Sequence, residues 1–207
     1  MSDVTTTRVP EALRCELLTV EGARFDASSG EVRLAMRFDE EEPVVETVRF
    51  PGGPFELSGD QIRAIERLGP MLAAVASTSS FKARLPRTVR MESAIGERGR
   101  ALIEGVFTQG LAEFAYRNGL GVIAPAFEFA DGASGGGESA CAGSGWLVAL
   151  GGGKDSVVAL EMLREAEEAV TAVCVGGYEP VRECAEASGV ELVEIERRLV
   201  PELSSWN

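Results

Sequence analysis

Gly151-Gly152-Gly153-Lys154-Asp155-Ser156 is the stretch of this 207-residue chain whose residue types and spacing point most directly to chemistry. An apolar run, Trp146 to Leu150, precedes it. A helical pattern follows, with Val157, Val158, Leu160 and Leu163 on its apolar side. Glycines take backbone angles closed to other residues. The N–H groups at a helix start have no internal partner, and the helix dipole favours an anion there. Strand, glycine turn and helix start, in that order, suit the cradling of a phosphate or pyrophosphate. Gly151, Gly152, Gly153 and Ser156 would bind it through backbone N–H groups and one hydroxyl, unless they form only a turn and a cap. Lys154 would neutralise phosphate charge, or be a solvated loop lysine. Asp155 would offer a carboxylate oxygen to Mg²⁺, or simply cap the helix.

The spacing discriminates among glycine loops. A Walker A loop needs its first Gly at the position of Val148 and Ser or Thr at the position of Asp155. A dinucleotide fingerprint would need Gly in place of Ser156. The run instead resembles the S-G-G-x-D-S loop of the ATP pyrophosphatase (PP-loop) families, with Gly151 in place of the leading Ser. That resemblance implies cleavage of ATP to AMP and pyrophosphate, usually to adenylate a carboxylate or carbonyl-type oxygen.

Composition narrows the rest. The chain is 45% apolar, enough for a real core, and carries a net charge of −13. From Trp146 onward there are five basic and twelve acidic residues, and the part before is acidic too. Neither half offers a footprint for nucleic acid. There is no His, so imidazole catalysis and imidazole ligation are excluded within this chain. Four cysteines (Cys15, Cys141, Cys174, Cys184) lack C-x-x-C spacing and read as reduced thiols. With no apolar run of membrane-spanning length and no signal peptide opening the chain, the expectation is a cytoplasmic protein with no membrane partner.

The elements that must position the loop follow from periodicity. Residues 130–145 are rich in Gly, Ser and Ala and read as a linker. They separate an N-terminal α+β domain (1–129) from an incomplete α/β domain (146–207). In the first, strands are expected over Leu13–Phe25, around Val32–Phe38, and over Val44–Phe50, forming an antiparallel meander. The acidic Asp39–Glu42 turn reads as solvated. Ser58 to Gln61 is a capping box. It opens a helix with Ile62, Ile65, Leu68, Leu72 and Val75 on its apolar face, which Gly69-Pro70 should break or kink. Leu85, Val89 and Met91 suggest an extended piece. A second helix is expected over Ala101–Asn118, with Leu102, Val106, Leu111 and Phe114 inward and Gly119 as its cap. After the linker the order is strand 146–150, helix 155–168, strand 170–175, helix 180–188 and strand 190–195. That is a parallel, doubly wound sheet in the making. Ligands sit at strand carboxyl ends, which would put Cys174–Gly177 near an adenine, Cys174 itself being core. Arg197-Arg198 reads as a surface pair. Three parallel strands are few for a sheet covered on both faces, so the chain reads as a fragment, a truncated gene model or one piece of a larger assembly.

Four stretches together resemble the UDP-N-acetylmuramoyl-L-alanyl-L-glutamate epimerases of bacterial peptidoglycan synthesis. They are Glu46-Thr47-Val48-Arg49-Phe50-Pro51, Ser79-Ser80-Phe81-Lys82-Ala83, Gly110 to Leu120, and Leu150 to Ser156. The resemblance covers most of the chain and that family's N-terminal half. It implies an ATP- and Mg²⁺-dependent inversion of the terminal L-Glu of UDP-MurNAc-L-Ala-L-Glu to D-Glu. It also implies a PP-loop (HUP-like) parallel-sheet domain, completed by a C-terminal half or partner subunit. The chemical reason for ATP is that deprotonation next to a carboxylate would build a doubly charged enolate. Adenylating that carboxylate removes one charge. Under this resemblance Lys82, Arg84 and Arg117 would hold the anionic substrate, although Arg117 also complements a helix dipole. The epimerisation base is not identified. The rival readings are another PP-loop activity (tRNA modification or amide formation) and a catalytically silent nucleotide-binding module.

Overall fold

A computed structural model describes residues 15–132 and 144–199. The expected 130–145 linker falls largely outside these residues, as do Leu13, Cys141 and everything after Leu199. Eight strands form a sheet in the order β5-β4-β1-β2-β3-β8-β7-β6.

β1 (Leu17–Asp26), β2 (Glu31–Phe38) and β3 (Val44–Arg49) are the expected meander, paired antiparallel throughout. Alternation decides their orientation. Val32, Leu34, Met36 and Phe38 are buried on one face, while Arg33 is exposed on the other. The Asp39–Glu42 turn is not wholly solvated. The Asp39 carboxylate accepts hydrogen bonds from the Leu17 and Glu16 N–H groups, at 2.9 and 3.1 Å, and so ties down the start of β1.

α1 (Gly59–Ala76) opens with the Ser58–Gln61 capping box. This helix departs from the sequence reading in two respects. Pro70 does not break it, although proline removes one bond and crowds the preceding turn. The helix packs on β1 there: a Cβ on Gly69 would lie 3.2 Å from that of Ala23, and Ala73 and Ala74 are buried. The buried face is also the small-residue one, Ala73, Ala74 and Ala76. Ile62, Leu68, Leu72 and Val75 are exposed, because close approach to the sheet favours alanine over bulk.

A short helix, α2 (Thr78–Arg84), had no counterpart in the sequence reading. It ends at Leu85, a non-glycine residue with φ +49°. β4 (Thr88–Met91) is the extended piece, and pairs parallel with β1. The single helix expected over 101–118 is two, α3 (Glu97–Thr108) and α4 (Ala112–Arg117). The break is at Gly110, where a Cβ would sit 2.5 Å from the Val106 carbonyl oxygen. Inward residues of α3 are Ile103 and Phe107, and Leu102 is exposed. Gly119 follows α4 with φ +61°, as a cap should. β5 (Ala126–Phe129), also unforeseen, closes this end of the sheet parallel to β4.

The remaining elements appear as expected, with shifted ends. They are β6 (Trp146–Ala149), α5 (Lys154–Glu165), β7 (Val170–Val175), α6 (Glu179–Ser188) and β8 (Glu191–Arg198), with all three strands parallel. β8 reaches past its expected end and pairs antiparallel with β3 through Thr47–Arg49. Two cores result. The larger lies between the sheet and α1–α3, with Phe81 and Phe107 edge to face at 5.0 Å. The smaller centres on Leu160 and Val181, under α5 and α6.

Candidate functional site

The last ladder bond of β6 runs from the Leu150 N–H to the Val173 carbonyl, at 2.8 Å. Buried Leu150 anchors this strand end, and the glycines then leave the sheet. Gly152 has φ +72°, a conformation that L side chains rarely adopt. Gly153 is the N-cap of α5 and provides no side-chain cap, so the first-turn N–H groups of α5 have no partner within the helix. Cβ atoms placed on Gly151 or Gly153 would meet nothing within 4 Å. The turn therefore combines open space with an uncapped helix start, whose N–H groups are donors.

Ser156 folds back into the loop. Its hydroxyl donates to the Gly153 carbonyl at 2.9 Å and accepts from the Gly151 N–H at 3.4 Å. Lys154 and Asp155 are exposed in the first turn of α5 and form no hydrogen bond or ion pair with other described residues. Asp155 is not the helix cap, a position Gly153 occupies. Among the described residues there is no cluster of three or more metal-ligating side chains. Asp155 is thus a single carboxylate beside the turn, which fits the way Mg²⁺ is held by one or two carboxylates together with substrate phosphates.

The second strand–helix turn lies against the first. Gly176 (φ +66°) and Gly177 lead to Tyr178, the N-cap of α6. Tyr178 Oη donates to the Gly151 carbonyl at 2.6 Å, and a Cβ on Gly152 would lie 2.6 Å from that same oxygen. Arg182 secures the turn from behind. It donates to both carboxylate oxygens of Glu194 at 2.8 Å and to the Gly177 carbonyl at 3.1 Å. Hydrogen bonding to Arg182 holds the Glu194 carboxyl below its ordinary range, and Glu194 in turn keeps Arg182 protonated. Cys174 is core, as expected, with its thiol pushed up by burial. Sequence reasoning missed Tyr178. The available signal was Gly176-Gly177 after the second strand, an echo of the first loop, followed by an aromatic residue.

The three residues expected at the substrate lie elsewhere in the fold. Lys82 sits over the Phe114 ring at 5.8 Å. Arg84 stacks on Phe38 at 4.6 Å and pairs with Glu41 at 2.6 Å. Arg117 pairs with Glu113 one turn away, at 2.8 Å on the surface. Lys82 and Phe114 bring α2 and α4 together. Arg197 is half-buried rather than exposed. Its guanidinium meets the fully buried Glu46 carboxylate at 2.7 Å, and donates to the Ala76 carbonyl at 2.8 Å and Ser79 Oγ at 3.2 Å. Ser80 Oγ donates to the other oxygen of Glu46 at 3.1 Å. Arg198 is the exposed member of the pair. Three of the four sequence stretches with a family resemblance therefore converge on α2, and the fourth is the loop.

Two open concavities, about 610 and 830 Å³, lie against α1, one also bordered by the α3 start and the other by β1 and β2. Neither is lined by a residue from Trp146 onward.

Residues 10–207 match the family described as "MurL N-terminal domain". A "UDP-N-acetyl-alpha-D-muramoyl-L-alanyl-L-glutamate epimerase" from Xanthomonas oryzae pv. oryzae is 39% identical, over 88% of this chain and 41% of the relative. Proteins of the same name from a Micromonospora species and from Salinispora tropica are 30% and 28% identical, over 94% of this chain and 44% of each relative. The chain thus spans less than half the length of the curated relatives it matches. No solved structure matches it.

Proposed function

This chain belongs to the MurL N-terminal domain family, and on that premise we propose that it is the nucleotide-handling part of an ATP- and Mg²⁺-dependent enzyme that inverts the terminal L-Glu of UDP-MurNAc-L-Ala-L-Glu. The observation that carries this reading is the glycine turn at the carboxyl end of β6. It combines an uncapped helix start, a positive-φ glycine and open space on the outward side. That arrangement accepts the phosphates of ATP through the backbone N–H groups of residues 152–155. Lys154 adds a positive charge beside them, and Asp155 is the carboxylate that would share Mg²⁺ with the phosphates. The relatives' names as epimerases supply the reaction class.

ATP is a reactant here, and its role is to activate the glutamyl carboxylate so that the α-proton becomes acidic enough for a general base. What this chain contributes is binding and orientation. Gly151 and Gly153 keep the approach clear of side chains. Tyr178 fixes the loop by holding the Gly151 carbonyl. The family stretches around α2 present Lys82 as a cation for an anionic substrate, while Arg84 and Arg117 are already paired with Glu41 and Glu113.

The test has two parts. Calorimetry on this chain measures Mg·ATP binding, expected for the parent and weakened at least tenfold by Gly152→Val. A protein of the relatives' full length, incubated with ATP, Mg²⁺ and UDP-MurNAc-L-Ala-L-Glu, is followed for AMP release and for the chirality of glutamate after acid hydrolysis. AMP with D-Glu supports the reading. ATP binding with glutamate that stays L overturns the epimerase assignment and leaves a nucleotide-binding module. Absence of ATP binding by both proteins overturns the site.

A further inference from the structure

Among the described residues, the parallel part of the sheet is covered on one side only. α5 and α6 pack on Val148, Leu150, Ala172, Cys174 and Leu192. Side chains alternate along a strand, so Leu147, Ala149, Val173, Val175 and Val193 point to the other side. Register sets Ala149, Val173 and Val193 in one row across three strands. Leu147 is 69% exposed and Val175 60%. Parallel strands are normally buried on both faces and read as near-continuous apolar runs. Trp146–Leu150 and Val170–Val175 have that composition.

Connection handedness says what belongs there. Parallel crossovers are right-handed in about 98% of cases. Stepping from β6 to β7 to β8 in one direction puts α5 and α6 on the same face, where Ser188 Oγ donates to Glu161 at 2.6 Å. A right-handed connection returning the other way must cross the opposite face. On its far side β8 is already paired with β3, whereas β6 ends the sheet with its outer edge unpaired among the described residues. The next parallel strand therefore fits only beside β6, and the helix leading to it runs over Leu147 and Val173. The curated relatives have the material for this: the matched region is an N-terminal domain and fills only 41–44% of their length.

We propose that this apolar face and the free edge of β6 seat the C-terminal part of the family's chain, which lays an amphipathic helix across Leu147, Ala149, Val173, Val175 and Val193 and adds a parallel strand to β6. The strand order then reverses beside β6, and open α/β sheets bind ligands in the crevice at such a reversal. The C-terminal part would thereby form the second wall of the crevice at the glycine turn. The inference rests on the fold and the family, and it stands or falls separately from the ATP reading.

Amide hydrogen exchange tests it without a substitution. The β6 peptide is compared with the β7 peptide, which is paired on both sides, in this chain and in the full-length Xanthomonas oryzae relative. Protection of β6 relative to β7 is expected to rise at least tenfold in the full-length protein. A second measurement places a thiol on the face by Val175→Cys here and by the aligned substitution in the relative. Its alkylation under native conditions is expected to be at least tenfold slower at full length. Equal β6 protection and equal alkylation in the two proteins overturn the proposal. So does slow alkylation in this chain together with a dimer by light scattering, which would assign the face to self-association.

Discussion

Two open sheet faces distinguish the two ends of this molecule. Over β1–β3 the helices α1–α3 cover one face, and the other carries Glu21, Arg33, Arg37, Thr47 and Arg49. Arg37 and Glu21 pair across it at 3.1 Å. Over β6–β8 the covered face is the opposite one. This follows from β8, whose Leu192 and Glu194 meet α6 or its core while Ile195 and Arg197 meet the N-terminal core. The open face there is apolar. Strict alternation along β2 means that water is the intended neighbour, whereas the unalternated runs of β6 and β7 mean that protein is. The strand β8 serves both ends, and the Glu46–Arg197 pair locks the join.

The largest expected effect concerns the two cores. Phe107→Ala removes a fully buried ring that meets Phe81 and Phe127 edge-on, and is expected to cost about 3–5 kcal/mol by urea denaturation. Leu160→Ala, at the centre of the smaller core, is expected to cost about 2–5 kcal/mol. If the regions are coupled through β8, either change lowers one common transition. Two separate transitions in the parent would break the comparison. Next is the join itself. Arg197→Met strands the buried Glu46 carboxylate and is expected to cost about 3 kcal/mol, while Glu46→Gln combined with Arg197→Met recovers part of it. Full additivity of the two changes would show that the pair is not a unit.

Smaller effects probe the loops. Gly152→Ala places a Cβ at φ +72° against Tyr178 and is expected to cost about 1 kcal/mol in stability, more visible as weakened ATP binding than as unfolding. Cys15 should resist iodoacetamide at pH 8, because burial and the neighbouring Asp39 push its thiol up to about 12. The same shift lowers stability as pH rises above the ordinary thiol value of 9.0, since only the unfolded chain then releases the proton. The smallest effect is on the open face: Leu147→Ser should change the stability of this chain by less than about 0.5 kcal/mol. A loss of several kcal/mol there would mean that the face is already covered.

Much of this was readable in advance, but unevenly. The meander, the Ser58 cap and the β-α-β-α-β order all rest on local signals: period two, a capping box, and glycines between apolar runs. The inward face of α1 was misread because periodicity marks an apolar stripe without saying whether the sheet needs bulk or closeness, and small residues face the sheet here, with Gly69 against Ala23 and Ala73, Ala74 and Ala76 buried. Arg197 was misread because its partner lies 151 residues away. Tyr178 was overlooked because its bond to Gly151 exists only once two strand ends are neighbours.

The sequence by itself determined where the chain leaves β6 in a glycine turn and enters α5, since three glycines before a helix start are a local property of the backbone. It also determined, through the loss of alternation in β6 and β7, that these strands expect cover. Only the tertiary structure decided that α5 and α6 share one face, that β3 occupies the far side of β8, and that no described residue covers the apolar face or pairs with the outer edge of β6. Those are outcomes of strand order and connection handedness, which arise from contacts between residues far apart in the chain and leave no short-range mark in it.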